Sequence, residues 1–186
     1  MYAIMTELDS QSARKIGKIR SMAVDACGGD PVPLQWPLHL SWQGAESYAL
    51  PEVDDRMRMI AKNVAPIITN IEGVGIFTGP QPVLHLPVTR TPELSALNET
   101  LWETLAPLAK KSNYYFSPNQ WVPHITILYG NAEVTEAIAC MVRRMLSEPL
   151  HINITLDHIY MGYFQGPEYG EAFRYPLLGK PEQTLP

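Results

Sequence analysis

The sequence predicts an α+β protein folded as a single unit, on three observations. Segments with the two-residue alternation of strands are interspersed with segments that carry the three-to-four-residue apolar spacing of helices, in an approximate order βαβ, αββα, βαββ. The chain has 186 residues, enough for one sizeable core or two small lobes that share one. It has no low-complexity stretch and no linker long enough to separate domains.

Tyr2 to Leu8 reads as a strand, after which Asp9 or Ser10 caps a helix that runs to about Ala26 and ends at Gly28-Gly29. Pro31, Pro33 and Pro37 mark a loop that feeds Leu38 to Trp42, a strand. Pro51, Asp54 and Asp55 open the next helix, with Met57, Ile60, Ala61, Val64 and Ile67 as its apolar stripe. Gly73 to Thr78 and Val83 to Thr89 resemble a hairpin joined by Gly79-Pro80-Gln81-Pro82. Thr91-Pro92-Glu93-Leu94 starts a helix that reaches about Lys111, loosened at Pro107. A second proline-marked loop through Pro118 leads to a strand over Trp121 to Leu128. A helix over Val134 to Leu146 follows, then two closing strands, around Ile152 to Phe164 and Ala172 to Leu177.

Composition narrows the function classes. Hydrophobic residues make up 46% and charged residues 18%, the balance of a soluble globular protein. No apolar stretch approaches the roughly 20 residues of a spanning helix, and the N-terminus does not read as a secretory signal, so the expected address is cytoplasmic. Cys27 and Cys140 are too few for a disulfide framework and are expected as reduced thiols, Cys140 as a small core residue. A formal charge of −5 is opposite to the footprint of a protein that grips long nucleic acid. One phosphate in a local site remains compatible with it.

Each half of the chain has a proline-rich loop that feeds a strand with a His-x-hydroxyl tripeptide, His39-Leu40-Ser41 and His124-Ile125-Thr126, 85 residues apart. On a strand, residues i and i+2 share a face, so each histidine stands beside its hydroxyl. If the two strands lie side by side, two imidazoles and two hydroxyls converge on a space of phosphate size. Hydrolysis of a cyclic phosphodiester needs that set: one imidazole to take a proton from water, one imidazolium to protonate the departing oxygen, and donors for the non-bridging oxygens. Buried structural histidines beside surface hydroxyls are the other reading of so short a motif.

With these residues, and Pro123 before the second motif, the sequence resembles the two-histidine (2H) phosphoesterase superfamily, which includes 2′-5′ RNA ligase-like proteins and cyclic phosphodiesterases. The resemblance implies a bilobal, pseudo-twofold α+β fold over residues 1–186, two antiparallel sheets facing a central cleft with helices on the outer faces. It implies His39 and His124 as the acid–base pair and Ser41 and Thr126 as phosphate ligands, with no cofactor or metal. The implied substrates are nucleotides or short oligonucleotides with a 2′,3′-cyclic phosphate or a 2′-5′ linkage, with ligation as the reverse reaction. Many members carry an arginine shortly after the second motif, where this chain has Leu128-Tyr129-Gly130, so a phosphate donor is missing there. A non-catalytic nucleotide-binding module on the same fold is the alternative.

Trp42, Trp121, Tyr129, Tyr160 and Tyr163 lie near these strands and suit either base stacking or core packing. Tyr129 and Tyr163, each next to a glycine, are the favoured substrate contacts. Tyr114-Tyr115-Phe116 is a candidate loop over the cleft. His85, His151 and His158 do not repeat the motif and are expected in structural or surface roles. A monomer without an extended nucleic-acid surface or a membrane contact is expected.

Overall fold

The computed structural model of the protein describes residues 1–29, 36–130, 134–147, 149–165 and 168–180. The proline loop expected before the first motif falls largely outside them, at Pro31 and Pro33. The first strand, β1 (Tyr2–Glu7), leads into α1 (Ser10–Asp25). Of the two candidate caps it is Asp9 that works, its carboxylate accepting from the Gln11 and Ser12 amides at 2.9 and 3.0 Å. β2 (His39–Ala45) and the short β3 (Ser47–Tyr48) precede α2 (Leu50–Asn63), which buries Val53, Met57, Ile60 and Ala61.

The expected stripe of α2 ran on through Val64 and Ile67, but the helix stops at Asn63. Pro66 disfavours helical backbone at the residue before it, and Ile67 instead opens β4 (Ile67–Glu72), with alternating buried and outward residues. The hairpin forms as β5 (Gly75–Phe77) and β6 (Val83–Pro87). In α3 (Pro92–Leu105), Thr91 caps the Leu94 amide at 3.2 Å. The helix ends short of Lys111, because Pro107 tightens the chain into a 3₁₀ turn that passes into β7 (Ala109–Lys110). β8 (His124–Tyr129) and α4 (Val134–Met145) follow. The closing region holds three strands where two were expected, β9 (His151–Leu156), β10 (His158–Gln165) and β11 (Glu168–Pro176). The chain changes sheets at Asp157, with β9 pairing β4 and β10 pairing β1.

The α+β class holds, and every strand pairing among the described residues is antiparallel. Seven strands form one sheet in the order β11-β10-β1-β2-β8-β6-β5, and β3-β7 and β4-β9 make two small ones. The two motif strands, β2 and β8, are neighbours within this one sheet, where a single pair, Leu40 with Ile125, is in register. Both of those side chains are fully buried in the main core, with Ile4, Trp42, Leu94, Leu97 and Met141. The helices α1 and α4 contact β8, and α3 contacts β2.

The cysteines correct the expectation of free thiols. Cys27, just past α1, and Cys140, in α4, form a disulfide with Cα atoms 5.7 Å apart across 113 residues of sequence. Such bonds persist in oxidising surroundings, which sits against the cytoplasmic address read from composition. Among the described residues no helix is long and apolar enough to cross a membrane. Because the bond closes so long a loop, Cys140→Ser is expected to lower unfolding free energy by about 2–4 kcal/mol. Denaturant titration with and without reductant checks this: the wild-type midpoint should fall in reductant and the variant's should not move.

Candidate active site

The register of the seam assembles the two motifs. With Leu40 opposite Ile125, one step either way sets His39 against Thr126 and Ser41 against His124. Leu40 and Ile125 point into the helix-covered core, so the histidines and hydroxyls share the other face. The two histidines are then diagonal neighbours, which in a regular ladder lie about 7–8 Å apart.

A bulge follows each motif. Pairing of β1 with β2 steps from Ile4–Gln43 to Met5–Ser41 and leaves Trp42 unpaired. Pairing of β6 with β8 steps from Leu84–Leu128 to His85–Thr126 and leaves Ile127 over. Trp42 and Ile127, two residues on from Leu40 and Ile125, stay on the core face, at 1% and 0% exposure, and the alternation breaks only after them. Trp42 stacks on Trp121 at 5.2 Å, its indole N–H donates to Thr6 Oγ1, and the Trp121 indole donates to the Ser41 carbonyl at 3.0 Å. The tryptophans thus take the packing role.

Both histidines are held in the same way. Nδ1 of His39 lies 2.8 Å from the Pro37 carbonyl and Nδ1 of His124 lies 2.7 Å from the Val122 carbonyl, in each case two residues back. A carbonyl only accepts, so Nδ1 carries the proton and Nε2 of the neutral ring is left as the available base. Burial lowers the pKa of both rings; for His39 the charges of Arg20 and His124 lower it further, while Glu7 acts in the opposite sense.

His39 and His124 line one cavity of about 400 Å³, together with Thr126, Tyr129, Arg20 and Phe116. Ser41 lines an adjoining cavity on the His39 side. Phe116 borders both, and also a third cavity against His124 with Phe77, Tyr115 and Trp121. Tyr129 stands at the rim, 40% exposed. Tyr163 is not with them. It is in register with Tyr2, three residues from Tyr160 and hence on the opposite face of β10, and its ring packs 6.2 Å from that of Tyr2. The proposed Tyr163 contact is therefore corrected to a packing role.

Two residues of the site were not singled out from sequence. His85, expected in a structural or surface role, is buried against the site: its ring stacks on Phe77 at 4.0 Å and meets His124 edge-on at 5.1 Å. Gly75 permits this, because a Cβ there would overlap the His85 ring. Burial, with the nearby His124, pushes the His85 pKa down to about 4. Arg20 reaches the cavity from α1, and its signal was a cation in the buried stripe Ser12, Ile16, Arg20, Ala23. His151 pairs with Glu72 at the surface, and His158 accepts the Glu7 amide and an Arg174 N–H, as the structural reading expected.

Comparison with known proteins follows the same lines. A family model, the 2′-5′ RNA ligase superfamily, matches residues 8–167. The fold is similar to TT0787 of Thermus thermophilus, with a TM-score of 0.70, 19% identity, 96% of this chain and 98% of that one covered. It is also similar to E. coli LigT in apo form, with a TM-score of 0.65, 17% identity, and 94% and 95% of the two chains covered. No curated protein sequence matches significantly.

The tautomers are directly testable. Nitrogen-detected NMR above pH 8 should show Nδ1–H imidazoles at both His39 and His124, and an Nε2–H form at either would contradict the arrangement. On acidification His85 should titrate near pH 4. Protonation of all three is favoured in the unfolded chain, so stability should decline as pH falls below about 6.5.

Proposed function

The chain belongs to the 2′-5′ RNA ligase superfamily, and on that premise we propose that it is a metal-independent phosphoesterase for 2′,3′-cyclic phosphate or 2′-5′ phosphodiester groups of nucleotides or short RNA ends. One observation carries the reading: His39 and His124, far apart in sequence, border one cavity with matching Nδ1 tethers. E. coli LigT, similar in fold, has been crystallised with 3′-AMP and with phosphate.

In the hydrolytic direction one Nε2 takes a proton from water as its oxygen attacks phosphorus. The other histidine, protonated, gives its proton to the ribose oxygen as the P–O bond breaks, leaving a phosphomonoester and a free hydroxyl. The carbonyl tethers keep each ring oriented through both steps and stabilise the imidazolium. The Thr126 hydroxyl, beside His124 and across from His39, can donate to a non-bridging oxygen, and Ser41 is placed to do so from the neighbouring cavity. Reversal of the same steps would join the ends, so ligation needs no second site. Tyr129 at the rim is positioned to meet a base or ribose.

Incubation of the protein in EDTA with a panel of 2′,3′-cyclic nucleotides and 2′-5′-linked dinucleotides should yield monophosphates or cleaved products. Binding without product would favour a nucleotide-binding module instead. His39→Ala and His124→Ala should each lower turnover by about 10²–10⁴-fold with the fold retained. Full activity in either would remove that residue from the mechanism.

The pH dependence has a definite sign. The base loses function as pH falls through its folded pKa, and the acid loses function as pH rises through its own. Burial lowers both, so kcat/KM, which reports the free enzyme, should trace a bell centred below about 6.5. A flat profile from about pH 5 to 9 would contradict two-histidine catalysis.

A further inference from the structure

Beyond Leu40 and Ile125 the strands β2 and β8 part, and the side chain of Arg20 fills the wedge. Nη1 donates to the Trp36 carbonyl, on the approach to β2, and Nη2 to the Thr126 carbonyl of β8, each at 3.2 Å. The guanidinium thus bridges the two strands that carry the histidines. It enters from the helix side of the sheet and borders the cavity on the other side.

We propose that Arg20 is the phosphate-binding cation of the site, reaching the substrate through the open seam between β2 and β8; this rests on the phosphoesterase reading above. Arg20 is only 7% exposed, yet among the described residues no carboxylate lies within ion-pairing distance of it. A buried cation without an anion is costly, and proteins normally pair it. Of the five N–H donors on a guanidinium, two are engaged by described residues, and the buried Nε has no partner among them. Apart from the two histidines and Tyr129, Arg20 is the only ionisable basic or acidic side chain among the described residues that line the cavity.

A phosphate between His39 and His124 supplies what is missing: negative charge and acceptor oxygens, next to a donor that is already fixed in place. The two carbonyl bonds immobilise the guanidinium before substrate arrives, so little rotamer entropy remains to be lost on binding. Charged groups facing His39 include Arg20, His124 and Glu7, so removing the cation should let its pKa rise.

The test uses inorganic phosphate as ligand and NMR of the full chain as readout, independent of turnover. Arg20→Gln keeps an amide donor for one carbonyl and removes the charge. It should weaken phosphate binding by about tenfold or more, the scale of one charge-assisted contact. It should also raise the titration midpoint of His39, because a positive charge beside that ring is lost. A folded Arg20→Gln with unchanged phosphate affinity overturns the proposal, as does wild-type protein that binds no phosphate at tens of millimolar. If the variant does not fold, the wild-type Arg20 Nε–H resonance decides: it should shift as phosphate saturates, and a signal that stays put overturns the assignment. Should the proposal fail while His39→Ala and His124→Ala still abolish turnover, the phosphoesterase reading stands without Arg20.

Discussion

The site depends on how little of β2 and β8 is zipped together. One register pair, Leu40 with Ile125, joins the two motif strands in a common sheet, and the side chains of that pair are locked into the core beneath. A longer ladder would close the gap that Arg20 occupies and satisfy the Thr126 carbonyl from β2. A shorter one would leave nothing to fix the diagonal relation between His39 and His124. Since a one-residue slip sends every side chain to the other face, burial of Leu40 and Ile125 is what keeps four polar residues together on the cavity side. Trp42 and Ile127, on the same face as Leu40 and Ile125 and fully packed in the core, then anchor the motifs from their far ends.

The matching tethers make the two imidazoles chemically alike, and their surroundings make them different. His39 lies between a buried arginine and Glu7, whereas His124 is packed by the rings of Phe77 and His85. Under the proposed function, an acid–base pair would work only if the two members hold their protons differently at one pH. Here the difference comes from one charged and one aromatic environment acting on the same local backbone device. His85, kept neutral by burial, can pack against His124 without adding a second positive charge when His124 is protonated.

Much of this was legible in the sequence because it is local. The two His-x-hydroxyl strands, the Asp9 cap, the β5–β6 hairpin and the Thr91-Pro92 helix start each rest on residues within a few positions of one another. What failed had competing local signals or depended on distant packing. Val64 and Ile67 extend the helical spacing of Met57, Ile60 and Ala61 past Pro66, so the spacing concealed β4. A run of apolar residues on both sides of Asp157 reads as one strand, and only pairing with β4 and β1 separates two. The Cys27–Cys140 bond needs the end of α1 beside α4, a relation 113 residues long. Tyr163 was favoured for its neighbouring glycine, which does not tell which face of β10 it takes. Arg20 belongs to no local motif, and its bond to the Thr126 carbonyl spans 106 residues of sequence. The cation that the sequence lacks after the second motif comes instead, under the proposal above, from a helix on the far side of the sheet.

The charge distribution then bears on substrate size under the proposed reading. A protein of net charge −5 repels a polyanion over distances of about a Debye length, roughly 8 Å at physiological salt. Within the cavity that repulsion is offset by one fixed guanidinium and by whichever imidazole is protonated. The flanking cavity beside His39 adds no free cation among its described side chains, because Lys111 there is paired with Glu46 at 2.7 Å. Attraction is therefore concentrated at one phosphate. What the flanks offer instead is apolar and aromatic: Met5, Trp36 and Phe164 on one side, Phe77, Tyr115 and Trp121 on the other, with Phe116 between. Such walls recognise rings by stacking and shape, so affinity would come from one phosphate and its immediate nucleosides and would gain little from a longer chain.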